Sequence, residues 1–301
     1  MVLKVWHCAS FELPLPPQHR FPMAKYRLLY ERVLAAADEL GIELLEPDPA
    51  SNEILQRVHC ADYVDRVLNG TLSAAEQRRI GFPWTPAMAV RSRRVAGASC
   101  SAVLASLEHG AAMTLAGGTH HAKRDQGGGY CIFNDSVIAL RNAQALGKIK
   151  RGLIIDLDVH HGNGTATLTR DDPSIYTLDV YAARNYPAIK ESVDLAVPLP
   201  DGTDDDGYLS ALAEHLPRAI EAAQADAVVY LAGADPYVDD RLGYLNLSKK
   251  GLQQRDEMVL QSCRAVGLPV TVSMAGGYAE RVADIVDIHF STVMSTARSL
   301  S

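Results

Sequence analysis

The sequence is poor in the features that place a chain outside the cell or in a membrane. Its five cysteines, Cys8, Cys60, Cys100, Cys131 and Cys263, are odd in number and scattered, with no C-x-x-C pair. That usage argues against a disulfide framework and suits reduced thiols. No apolar run approaches the roughly 18 residues that span a bilayer. Met1-Val2-Leu3-Lys4-Val5-Trp6-His7 lacks the apolar core and small-residue cleavage site of a secretory signal. A cytoplasmic location without membrane association is the expectation. Positive charge is also short: 29 Lys and Arg stand against 36 Asp and Glu, a formal net charge of -7, with no basic run. A surface tracking nucleic-acid phosphates is therefore not expected, and protein or small-molecule substrates fit better. Linkers, low-complexity tracts and internal repeats are missing too, so residues 1–301 read as one domain. What is present is the composition of a globular protein, 48% apolar and 22% charged.

The chain opens with a strand pattern from Val2 to His7 and a Pro-rich loop from Ser10 to Pro22. Tyr26, Leu29, Tyr30, Val33, Ala37 and Leu40 then recur at helical spacing, with Gly41 as a stop, which predicts a helix from about Pro22 to Leu40. Ile42 to Leu45 is a short strand, Ser73 with Glu76 a capping box, and Thr85-Pro86 the start of a helix reaching His109. From there strands alternate with helices. Ala112–Ala116, Leu153–Leu157, Ile175–Leu178, Ala227–Leu231 and Pro269–Met274 read as strands. Helices are expected near Asp135–Leu146, Tyr208–Ala223, Lys249–Val266 and Ala279–Ala297. That rhythm predicts an α/β fold, a mostly parallel sheet with helices on both faces.

Polar chemistry follows the strands. Gly117-Gly118-Thr119-His120-His121, Asp156 to His160, Asp179, Gly233-Ala234-Asp235 and Gly276-Gly277-Tyr278 each come after an apolar run. In open α/β sheets ligands bind at the strands' carboxyl edge, so these residues are expected to converge. In extended chain Asp156, Asp158 and His160 share a face, and two carboxylates with an imidazole make a partial shell for a divalent metal of the catalytic kind. The same pattern also suits a capped turn or a carboxylate cluster without a transition metal. Asp235, in a turn directly after a strand, is the expected third ligand beside Asp158 and His160. His120 and His121 would handle protons, and Tyr278 would donate its hydroxyl to a developing oxyanion. Cys131, near the histidines, reads as a buried structural thiol rather than a nucleophile.

Taken together, Gly117 to Lys123 with Gly129-Tyr130-Cys131 and Asn134-Asp135, Asp156 to Gly164, Gly233-Ala234-Asp235 and Gly276-Gly277-Tyr278 resemble the zinc-dependent histone deacetylase family, in order and at family-like spacing. Asp179-Val180-Tyr181, Tyr186-Pro187 and Asp240-Arg241-Leu242-Gly243 look most like class IV members and bacterial histone deacetylase-like amidohydrolases. The resemblance implies the arginase/deacetylase fold, a single α/β domain with an eight-stranded sheet, and Zn2+ held by Asp158, His160 and Asp235. It pairs Asp156 with His120 and Asn163 with His121, where many members carry Asp. It implies that His121 is the general base and acid and that Tyr278 braces the oxyanion. It also puts Gly129, Tyr130, Tyr186 and Leu242 along an acyl-lysine tunnel and matches Asp156 and Asp179 to a site for K+ or Na+. The loop from Gly81 to Ala87 has no acid where several class I members clamp the substrate backbone. Leu242 stands where polyamine-selective relatives have a glutamate.

The expected activity is therefore a lysine deacetylase or deacylase acting on an acylated lysine peptide. An amidohydrolase for small acylated amines such as acetylpolyamines is the enzyme alternative, and a catalytically silent acyl-lysine-binding protein the non-enzyme one. Oligomeric state is not legible.

Overall fold

Short apolar segments rich in Val, Ile, Leu and Ala gain most by burying both faces, which only a sheet covered by helices on each side allows. The structure, a computed structural model, describes residues 2–16 and 18–300. Its strands are β1 (Leu3–Trp6), β2 (Ile42–Leu45), β3 (Ala111–Thr114), β4 (Gly152–Asp156), β5 (Ile175–Ala182), β6 (Leu195–Leu199), β7 (Ala227–Leu231) and β8 (Val270–Ser273). Its helices are α1 (Ala24–Leu40), α2 (Asn52–Gln56), α3 (Ala61–Asn69), α4 (Ala74–Ile80), α5 (Pro86–His109), α6 (Asp135–Ala145), α7 (Asn163–Thr169), α8 (Asp205–Ala223), α9 (Lys249–Ala265) and α10 (Val282–Ser299).

All eight strands join one sheet in the order β2-β1-β3-β8-β7-β4-β5-β6, and every pairing is parallel. The sheet is thus wholly rather than mostly parallel. Every strand therefore delivers its carboxyl end to the same edge. After β3 the chain skips two positions, runs outward as β4, β5 and β6, then returns to fill the gap with β7 and β8. This return makes β4 and β7 neighbours, with Asp156 opposite Leu231.

Alternation divides the core between the two faces. Leu153 and Ile155 of β4, with Val228 and Tyr230 of β7, pack on one side with Leu212 and Leu216 of α8 and Leu252 and Val259 of α9. Ile154, Val229 and Leu231 pack on the other with Val103 of α5 and Val137 and Ile138 of α6. Each such fully buried side chain contributes about 1.5–3 kcal/mol. Among the described residues no helix is long and apolar enough to cross a membrane.

The long helices fall where the spacing predicts them. Thr85 caps α5 through the Met88 N–H, and Ser73 with Glu76 forms the capping box of α4. Helices α2, α3 and α7 and strand β6 are additional. β6 contains Pro198, which cannot donate to a ladder; it is tolerated because β6 lies at the sheet's edge. β5 runs on to Ala182, so Asp179 lies inside that strand opposite Asp156, not in a turn beyond its end.

Candidate active site

The chain leaves β4 at Asp156, so the extended alternation stops there and Asp158 and His160 sit on a bend instead. Asp158 Oδ1 accepts from the His160 N–H at 2.9 Å and Asp156 Oδ1 from the Asp158 N–H at 3.2 Å. Across the gap, beyond β7, Asp235 Oδ1 accepts from the Val159 N–H at 3.0 Å. These bonds bring the ligating atoms of Asp158, His160 and Asp235 within 4.8 Å of one another, all three residues buried. His160 Nδ1 is 2.9 Å from Asp158 Oδ1 and 3.2 Å from Asp235 Oδ2. The Gly276 N–H donates to Asp158 Oδ2 at 2.8 Å, and a Cβ on Gly276 would collide with both carboxylates. Two carboxylates and an imidazole around a cradle that only glycine leaves open fit a zinc ion with positions left for reactants.

His120 and His121 stand beside this cluster. His120 Nδ1–H donates to Asp156 Oδ2 at 2.6 Å and His121 Nδ1–H to Asn163 Oδ1 at 2.8 Å. Their Nε2 atoms lie 3.2 Å apart. Burial opposes charge on His120, but Asp156 and Asp158 outweigh it and carry its pKa up to about 9. Burial, reinforced by His120 and His160, drives His121 well below the ordinary value, against a weak opposing pull from Asn163. The two neighbouring imidazoles are thus pushed in opposite directions, His120 toward the charged form and His121 toward the neutral one. Their loop is fixed by buried Asp135, which accepts from Thr119 N–H at 2.7 Å, Gly118 N–H at 3.2 Å and Ser99 Oγ–H at 2.6 Å.

Tyr278 closes the site from the β8 side. Its N–H donates to Asp240 Oδ2 at 2.6 Å and its carbonyl accepts from Arg241 Nε at 3.0 Å. Burial, then Asp158 and Asp235, push its phenol pKa well above the ordinary value, so the hydroxyl keeps its proton. Above it opens a cleft of about 390 Å³ with His121, His160 and Tyr278 among its walls; Gly129, Tyr130, Tyr186 and Leu242 also line it. Gly129, at φ +52°, has no room for a Cβ, which would meet His121 Cδ2 at 2.5 Å. The Tyr186 ring stands edge-on to His121 at 4.9 Å.

Asp179 Oδ2 accepts from His161 Nδ1–H at 2.7 Å and from the Gly162 N–H at 2.9 Å, while its Oδ1 is buried and has no partner among the described residues. Asp156, its neighbour in register, spends its oxygens on His120 and the Asp158 N–H. Cys131 is buried, and burial pushes its thiol pKa far up; the Sγ–H faces the Gly129 carbonyl at 3.4 Å. It packs as a structural thiol.

Two residues escaped the sequence reading. Asn185 donates to the Leu242 carbonyl at 2.5 Å and accepts from the Tyr244 N–H at 2.9 Å, holding the cleft's rim. Arg255 of α9 is wholly buried; its Nη1 donates to the carbonyls of Gly233 at 2.7 Å and Leu157 at 3.3 Å, one on each loop that carries a carboxylate of the cluster. Its charge is met by Asp256 at 2.8 Å, which also accepts from Tyr230 Oη at 2.5 Å and Thr292 Oγ1 at 2.6 Å. Only contact between a helix and loops distant in sequence gives Arg255 this place, so no local pattern marks it.

Fold and site together define an α/β protein with a crevice, at the carboxyl edge of a parallel sheet, where paired imidazoles flank a carboxylate-imidazole cluster that could hold a metal ion. The chain belongs to the histone deacetylase family, whose histone deacetylase domain matches residues 19–293. It is 42% identical over 285 residues to an uncharacterized protein of Picosynechococcus, covering 95% of each chain. It is 32% identical to histone deacetylase 2 of Arabidopsis thaliana, over 81% of this chain and 65% of that one. It is also 32% identical to histone deacetylase 3 of Oryza sativa subsp. japonica, over 89% and 55%. The chain thus spans between half and two thirds of those plant proteins. The crystal structure of the HDA15 HD domain superposes with a TM-score of 0.83 at 20% identity, covering 99% of this chain and 90% of that one, a likeness of fold.

Proposed function

We propose that the protein hydrolyses the amide of acyl-lysine side chains in peptides, with His121 as general base and then general acid. The observation carrying this reading is the pair of adjacent imidazoles, one bonded to the Asp156 carboxylate and the other to the Asn163 amide oxygen, beside the Asp158-His160-Asp235 cluster at the end of the cleft. Zinc held by those three residues would supply Lewis-acid polarisation of the acyl carbonyl and a more acidic water. Neutral His121 accepts at Nε2 the proton that water loses on attack. It later returns that proton to the departing lysine nitrogen, because an amine leaves only when protonated. His120, kept charged by Asp156, steadies negative charge as it builds. The Tyr278 hydroxyl, which holds its proton, donates to the oxyanion. Asn163 orients His121 without charging it, so the base stays ready. The unpartnered Asp179 Oδ1 supports a K+ or Na+ ion beside the strand end, with Asp156 at its edge.

The test is a panel of acetyl- and longer-acyl-lysine peptides offered to zinc-loaded protein. About one zinc per chain is expected. His121→Ala should cut kcat by about 10²–10⁴ while zinc stays bound. Zinc-loaded native protein that turns over no acyl length defeats the proposal.

A further inference from the structure

The cleft that leads to Tyr278 is rimmed by positive charge, although the protein carries a net -7. Arg78 and Arg79, at the end of α4, and Arg241 line it; neither aspartate nor glutamate is among its lining residues. Arg20 adjoins them, its carbonyl accepting from Arg241 Nη2 at 3.4 Å. All four arginines are exposed. Among the described residues none of the four has a carboxylate partner, whereas surface arginines elsewhere, such as Arg27, Arg57 and Arg218, pair with glutamates. What they do touch is neutral: Arg79 Nε donates to the Gly127 carbonyl at 3.1 Å and Arg241 Nε to that of Tyr278. These bonds anchor the guanidinium groups and leave their charge unanswered.

Like charges gathered round one opening repel each other, and a visiting anion relieves that repulsion. The Arg fork matches a carboxylate with two parallel hydrogen bonds. The apolar wall formed by Tyr186, Leu242 and Tyr244 strengthens such pairs by keeping water off one side. Building on the acyl-lysine reading, we propose that the rim selects peptides with aspartate or glutamate beside the modified lysine and disfavours cationic amines such as acetylated polyamines. An acyl-lysine side chain reaching His121 leaves its backbone and flanking residues at the level of Arg78, Arg79 and Arg241. Those residues are where the sign of the substrate is read.

The test uses acetyl-lysine peptides of one length flanked by Asp, Gly or Lys, together with an N-acetylated polyamine. Two quantities are measured on zinc-loaded protein: kcat/KM, and binding of the labelled peptides by fluorescence anisotropy, which needs no turnover. Both should favour the Asp peptide over the Lys peptide by about tenfold, with Gly between and the polyamine last. Raising salt from about 50 to about 500 mM should bring the ratio toward unity. Arg78→Glu with Arg79→Glu should shift the ratio toward the Lys peptide. Because the ratio is taken within each protein, a general loss of activity does not move it, and the salt series on native protein stands even if the variant misfolds. Equal values for Asp and Lys peptides at low salt, or a preference untouched by salt, overturn the proposal. Anionic preference in binding without turnover would instead defeat amide hydrolysis and leave the rim's selectivity standing.

Discussion

At the scale of single residues, the partner of each buried imidazole decides its charge. Replacing Asn163 by Asp places a carboxylate on His121 Nδ1, which stabilises the charged ring and raises its pKa. A base must be neutral to act, so the acid limb of the kcat/KM profile should move to higher pH in Asn163→Asp, as a pH-rate series would record. His59 gives the stability counterpart, away from the reaction centre. Burial carries its pKa down to about 4, while Nδ1–H donates to the Lys123 carbonyl and Nε2 accepts from the Asn134 N–H. Its folded pKa lies below its unfolded one, so its contribution is full above the ordinary value and fades as pH falls through that window toward about 4. Between about pH 7 and pH 5 this amounts to about 2 kcal/mol. Urea unfolding should show the native protein losing that much more over the interval than His59→Gln. The residues that converge at the sheet's carboxyl edge were legible in the sequence because each follows an apolar run and breaks its pattern. Asp179 was mislaid by a strand end and Arg255 passed over, since the reasons for their places lie in partners far along the chain.

At the scale of elements, caps and periodicity announced most helices, and tertiary contact supplied the rest. Helix α7, with glycine and three threonines in seven residues, has little helical preference of its own and forms with Gly164, Thr165, Ala166 and Thr169 buried. Strand β6 hid behind its proline. The return of the chain into the gap between β3 and β4 was equally silent, because order within a parallel sheet leaves no mark on the segments themselves. That return makes α9 the tie between the β4 and β7 exits. Arg255→Met should cost about 3–5 kcal/mol by stranding Asp256 as a buried charge. Zinc affinity should fall as well, and Arg255→Lys should recover part of both. Urea unfolding and competition with a chelating dye would check this; a folded Arg255→Met protein with native zinc affinity would contradict the clamp.

At the scale of the whole molecule, an ion held only by the native arrangement is linked to unfolding. Chelator-treated protein should melt lower, and zinc at about 100 times its Kd should add about 2.7 kcal/mol, seen as a rise in Tm. Asp158→Asn should flatten that response. An identical shift in Asp158→Asn and native protein would locate the ion elsewhere.

The strand order also bears on how the molecule comes into being. Asp158 and His160 come before Asp235 and the Gly276-Gly277-Tyr278 wall, which follow β7 and β8, the strands that occupy the middle of the sheet. A nascent chain that has reached β6 thus carries two of the three donors and lacks Tyr278. Completion of the three-donor cluster therefore waits on β7 and β8, and a product cut short before them would lack both Asp235 and Tyr278.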